Sequence, residues 1–194
     1  MVRFVFSAIV LLNVSSFYSQ QEQYIRPGTI KASSTISPSL MLNHDIQNIY
    51  LNGFISYQFD RKVSLRGESF LYIKNAASKP TDIGYSGGVH TYFGAFRHLT
   101  KGNWDNYLGF QPGVSIVQTI HNPGLSVCPS FALKAGSAFY VWKIFHFFAE
   151  VTYTNTSVRG ITSGPYRADE LILSAGLGYQ VNTKRLKKNT ATPQ

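Results

Sequence analysis

The sequence predicts an all-β protein, an eight-stranded antiparallel up-and-down barrel that crosses a membrane with its strands. Three observations predict it. Beyond the first 20 residues no stretch keeps a helical period, and none offers the ~20 consecutive apolar residues of a spanning helix. The chain instead alternates apolar with polar residues at a period of two, in segments separated by turn residues. The polar members of that alternation are mostly Gly, Ser, Thr, Asn and Gln rather than Lys and Glu.

The opening residues form a separate unit. Met1–Gln20 sets Arg3 before an apolar run from Phe4 to Leu12 and then small or polar residues, the layout of a secretory signal cleaved after Ser16 or Ser19. That run is too short to span a bilayer as a helix, and no cysteine near it offers a lipid anchor. The expected organisation is a signal over 1–19, a lead-in over 20–28, a barrel over 29–181 and a basic tail over 182–194. The net charge of +9 falls by one when Arg3 leaves, and much of the rest sits in Lys184, Arg185, Lys187 and Lys188. On an exported chain such a tail points to anionic lipid headgroups or an envelope protein partner, not to nucleic acid. A single cysteine, Cys128, precludes an internal disulfide and reads as a buried or loop thiol.

The alternation places strands at Thr29–Leu42, Gln47–Phe59, Val63–Asn75, Tyr85–Arg97, Asn106–Thr119, Val127–Tyr140, Ile144–Asn155 and Asp169–Val181. Short turns at Asp60–Lys62 and Val141–Lys143 alternate with longer connections at Ala76–Gly84, Ile120–Ser126 and Thr156–Ala168. Two connections break that rule: His98–Asp105 is long on the short-turn side, and Asn43–Ile46 is short on the other. In the second segment Ile49, Leu51, Ile55, Tyr57 and Phe59 share a face opposite Asn52, Ser56 and Gln58; the third, fifth, seventh and eighth segments repeat the pattern. The fourth is ambiguous, with Tyr92 and Phe96 opposite Val89 and Phe93. Pro38 and Pro112 fall inside strands, where each removes a ladder donor, and are assigned to bulges.

Such a barrel can turn its apolar face inward, as a lipocalin-like binder of apolar ligands does, or outward to lipid. The composition of the polar face favours lipid. A water-facing sheet carries many charges, whereas small polar side chains suit the narrow interior of eight strands. The few charges on that face form an expected lumen network of Arg66, Glu68, His90, Lys134, His146 and Glu150, because an isolated charge there costs several kcal/mol. If the Val141–Lys143 turn closes symmetrically, Lys134 faces Glu150 directly across the hairpin. Phe59, Phe139, Tyr140, Trp142, Phe145 and Tyr179 gather near the short turns, as an interfacial aromatic girdle does. Glycines on the inner face, among them Gly94, Gly109, Gly113, Gly136, Gly176 and Gly178, make room for large side chains rather than for a channel.

The last segment adds a motif. In "SAGLGYQV", Ser174, Gly176, Tyr179 and Val181 occupy the polar, glycine and two hydrophobic positions of the C-terminal insertion signal of outer-membrane barrels. With the strand count and the export signal, the chain resembles the small eight-stranded outer-membrane β-barrels of the OmpA transmembrane-domain and OmpX type, over about Thr29–Val181. The basic tail that follows departs from the usual ending at this strand. The resemblance implies an integral protein of a Gram-negative outer membrane, with short turns and termini in the periplasm. Its partners are then outer-membrane lipid, the barrel-assembly machinery, and an envelope protein reached through the loops or the tail. Arg159, Tyr166 and Arg167, in the Thr156–Ala168 connection, the largest exposed element, are the candidate loop contacts. The resemblance does not choose a biochemical role.

Enzyme chemistry has little support in the spacing. Lipid A deacylases of this size set His and Ser two residues apart on one strand, whereas His90 is followed by Thr91 and Tyr92, and His146 by Phe147 and Phe148. A lipid-modifying enzyme would need a nucleophile beside His90 or His146. No His, Asp or Glu cluster has ligand spacing for a metal, and no phosphate-binding loop or other cofactor site is apparent. The reading is a plugged, non-enzymatic barrel with a structural or interaction role, as a subunit of a larger envelope assembly.

Overall fold

Residues 27–42, 46–76, 85–119, 124–158 and 166–183 are described by the computed structural model of the chain. The signal, most of the lead-in and the tail from Lys184 lie outside them. The strands are β1 (Thr29–Met41), β2 (Ile46–Gln58), β3 (Val63–Asn75), β4 (Tyr85–Lys101), β5 (Trp104–Thr119), β6 (Ser126–Tyr140), β7 (Phe145–Val158) and β8 (Tyr166–Asn182). Each pairs antiparallel with the next, and β8 closes on β1. Closure leaves no open edge, which lipid could not satisfy.

The alternation resolves outward for the apolar set. Ile55, Leu108, Phe110, Phe147 and Leu173 are each half exposed or more on the outer wall, while Arg66, Glu68, Lys134 and Glu150 are buried inside. A barrel for water has the reverse arrangement, so the lipocalin-like alternative fails on face parity. No helix among the described residues is long and apolar enough to cross a membrane. Strands of 13–17 residues exceed the ~9–11 that a tilted membrane strand requires.

β4 is settled by its neighbours. Tyr92 and Phe96 point inward and Phe93 outward, because glycines on β5 receive the two inner rings. A Cβ at Gly109 would lie 2.3 Å from the Phe96 ring, and one at Gly113 2.4 Å from Tyr92. Gly136 likewise accepts Tyr107, and Gly178 accepts His146. The lumen is thus packed ring against glycine.

Four expectations about connections, register and bulges need correction. The connection at His98–Asp105 is strand: β4 and β5 continue to a two-residue turn, Gly102–Asn103, with Lys101 paired to Trp104 and Gly102 at φ 62°. A Gly-Asn pair is a hairpin signal, hidden here by the charged residues around it. The Thr156–Ala168 connection also shortens at both ends, since Val158 pairs with Tyr166. Lys134 stands opposite Thr152, and Glu150 opposite Gly136, because the hairpin pairs Tyr140 with His146 and closes two residues further on than the symmetric turn assumed. The prolines are not bulges: Pro38 pairs with Ile49 and Pro112 with Phe131 in unbroken register. Each instead faces an interruption of its other ladder, between Ser33 and Ser39 on β1 and between Phe110 and Gly113 on β5. The register shifts lie elsewhere, at Ile49/Tyr50 and Tyr85/Gly87.

Around the short-turn rim, Phe59, Trp142 and Tyr179 are exposed, with Trp142 against Phe145 and Phe145 against Tyr179 at centroid distances of 5.9 and 5.0 Å. Tyr140 does not join this girdle. It is fully buried in the lumen.

Candidate functional site in the lumen

Inward parity brings the charged side chains of separate strands into one interior, and they sort into layers. In the middle, Glu150 on β7 is the hub. Its Oε1 accepts from Arg66 Nη1 at 2.6 Å and from the Tyr107 hydroxyl at 2.5 Å, and its Oε2 accepts from Lys134 Nζ at 3.0 Å. Lys134 also donates to Glu68 Oε1 at 2.6 Å, and Asn52 donates to the same oxygen at 2.8 Å. Two cations and two carboxylates therefore neutralise one another. The Arg66 guanidinium lies 3.5 Å from the Phe54 ring centroid, a cation–π contact within a desolvated interior.

The layer near the short turns centres on Asp105 of β5. His98 Nδ1 lies 2.8 Å from its Oδ2, Thr100 donates to Oδ1 at 3.1 Å, and Lys31 Nζ stands 3.6 Å away. Lys31 also donates to the Tyr140 hydroxyl, and Ser64 Oγ lies 2.8 Å from His98 Nε2. A cavity of about 20 Å³ adjoins this layer, lined among others by Ser64, Arg66, His98, Tyr140 and His146. That is room for about one water.

Toward the long loops, Glu170 accepts from Ser39 at 3.0 Å, Asn48 at 2.5 Å and Tyr50 at 2.9 Å, all neutral donors. His90 Nδ1 lies 2.7 Å from Ser115 Oγ, which bonds in turn to Ser130. Met41, Ile46, Val117, Cys128 and Ala168 form an apolar cluster on the inner face, and Cys128 is a buried free thiol.

Of the six sequence candidates for the lumen, Arg66, Glu68, Lys134 and Glu150 meet in one cluster. His146 sits apart, tilted against Tyr140 at 5.5 Å, and His90 belongs to the long-loop layer. The insertion-signal residues divide by face. Ser174 shares a hydrogen bond of 2.7 Å with Ser37 inside, Gly176 lies under the Phe148 ring, and Tyr179 and Val181 are exposed outside. Arg167 is exposed on β8, Tyr166 pairs with Val158 at the start of β8, and Arg159 lies outside the described residues. Sequence reasoning missed Tyr107, Lys31, Asp105, His98 and Ser64. The inward parity of Lys31 and Ser64 is legible in the sequence, whereas the charged residues around Gly102 and Asn103 make His98 and Asp105 resemble a connection.

One titration lies outside the wall. The backbone N–H groups of Lys62 and Val63 donate to Asp60 Oδ1 at 2.6 and 2.8 Å in the β2–β3 turn and hold its carboxyl below the usual carboxylate range. No group of three or more His, Cys, Asp or Glu side chains suited to a metal occurs among the described residues.

The closed antiparallel barrel is shared in fold by solved structures. OprG of Pseudomonas aeruginosa aligns over 81% of this chain and 97% of its own, with a TM-score of 0.57 at 11% identity. The chain has the fold of the small outer-membrane β-barrels. The N-terminal barrel domain of OprF from the same bacterium matches with a TM-score of 0.52 at 14% identity over 80% of this chain and 98% of that domain. Neisserial surface protein A matches at 0.54 and 9% identity, over 79% and 96%. No protein-family description and no curated protein matches the sequence. The barrel is thus shared in fold at sequence identities that carry no function.

Proposed function

We propose that this protein is an integral outer-membrane barrel of a Gram-negative bacterium that serves as a structural or interaction component of the envelope, not as a pore. The observation that carries the reading is the Arg66–Glu68–Lys134–Glu150 cluster, which crosses the lumen from β3 to β6 and β7 and neutralises its own charge. A polar interior of this kind holds eight strands at fixed positions and leaves the loops and tail as the working surfaces. The apolar outer wall and the aromatic rim support insertion in lipid, and the excess of basic over acidic residues supports contact with anionic headgroups or an acidic envelope partner.

Conductance in a planar bilayer tests the sealed lumen. The folded protein is expected to add no steady current at moderate voltage. Sustained unitary currents from the wild-type chain would make it a pore and remove the structural reading. Crosslinking through a photoreactive group at position 167 then identifies the loop partner, with an envelope protein or lipopolysaccharide as the expected product.

A further inference from the structure

The short-turn layer contains a feature that a lumen plug does not require. Ser64 on β3, His98 on β4 and Asp105 on β5 form a linear chain, hydroxyl to imidazole to carboxylate, with both links at 2.8 Å. An ionised Asp105 can only accept, so His98 Nδ1 carries its proton toward Asp105. Nε2 is then the bare nitrogen, and Ser64 donates to it. This is the arrangement by which a serine hydroxyl is made nucleophilic: the base within reach of the hydroxyl, and the base oriented by an acid. Asp105 is itself fixed by Thr100, and Lys31 stands beside it.

We propose that Ser64, His98 and Asp105 are a catalytic triad for carboxylic esters with a short acyl group, reached from the short-turn mouth of the barrel. The cavity of about 20 Å³ lies beside Ser64 and is also lined by Lys31 and Arg66, two cations placed to stabilise an oxyanion. That volume holds about one water, so an acyl group reaches the buried Ser64 only as the Gln58 side chain moves aside, and a long lipid chain is excluded. Ser64 Oγ attacks the ester carbonyl carbon as its proton passes to His98 Nε2. The tetrahedral oxyanion collapses, the carbonyl–alkoxide bond breaks, and the leaving alcohol takes the proton from Nε2. Water entering from the mouth attacks the acyl-serine and gives a proton to Nε2. Collapse of that second intermediate releases the carboxylic acid and restores the serine hydroxyl. Access is controlled by Gln58, the cross-strand partner of Ser64, whose amide is held by the carbonyls of Asp60 and Val63 at 2.8 and 3.3 Å.

The experiment uses the full folded chain in detergent micelles with p-nitrophenyl acetate as the probe. Folding of every variant is checked by heat-dependent gel mobility. The wild type is expected to release nitrophenol and to carry the acetyl group on Ser64, located by peptide mass spectrometry. Ser64→Ala, which removes one oxygen and no charge, and Asp105→Asn are each expected to slow release about 100-fold or more. Gln58→Ala is expected to accelerate it, whereas His90→Gln, in the other histidine–serine pair, leaves it unchanged. Release no faster than from the heat-unfolded chain, equal release by Ser64→Ala, or acetylation confined to lysines overturns the proposal. None of these results bears on whether the lumen conducts, so the two readings fail separately.

Discussion

Replacing Glu150 with glutamine tests the central layer at its hub. The wild-type carboxylate takes hydrogen bonds from Arg66, Tyr107 and Lys134. Glutamine keeps the size but removes the charge, so Arg66 is left over Phe54 with no carboxylate at contact distance, while Lys134 retains Glu68. Breaking a buried pair from one side costs about 3–5 kcal/mol, because the remaining charge stays desolvated. With a urea slope of about 2 kcal/mol per molar, that cost moves the unfolding midpoint down by about 1.5–2.5 M. The assay is a urea titration of the barrel in lipid vesicles, scored by the fraction showing folded gel mobility. The double variant Arg66→Met/Glu150→Gln removes both charges and is expected to recover most of the loss, since a buried pair replaced by apolar groups is often close to neutral. A single variant within about 0.5 kcal/mol of wild type, the range of ordinary surface changes, would falsify the account of the network as buried and mutually dependent. So would a double variant as unstable as the single one.

Other outcomes follow from the same geometry. Gly94→Ala would put a Cβ 2.0 Å from the Phe110 carbonyl oxygen and is expected to cost about 3 kcal/mol, whereas Gly53→Ala, with its nearest neighbour at 3.8 Å, stays near wild type in the same titration. Trp104 and Trp142 both lie at the short-turn rim, so their fluorescence is expected to be quenched more by bromine near the lipid headgroup than at the acyl terminus; the reverse order would displace the girdle. Asp60 has a lowered folded pKa, so its contribution to the β2–β3 turn is complete above its ordinary value of 3.8 and is lost as pH falls through the lowered one. Acid titration of turn amide signals by NMR is expected to show this step, and Asp60→Ala to remove it.

The architecture follows from strand periodicity. A period of two over eight segments, with small polar residues on one face and Leu, Ile, Val and Phe on the other, leaves a lipid-facing closed barrel as the arrangement that buries neither face wrongly. It also put Arg66, Glu68, Lys134 and Glu150 on the inner wall, because side-chain parity is a local property of a strand. Register is not local. It depends on how each hairpin closes, so the two-residue slip at β6–β7 that sets Glu150 opposite Gly136 was invisible, as was the Gly102–Asn103 turn that makes His98 and Asp105 strand residues. Which inward groups meet is a property of the closed barrel: Arg66 with Glu150 across 84 residues of chain, Lys31 with Tyr140 across 109, and Ser64 with His98 and Asp105 from three adjacent strands. Barrel closure decides those contacts, since it carries side chains far apart in sequence across a lumen only a few side chains wide.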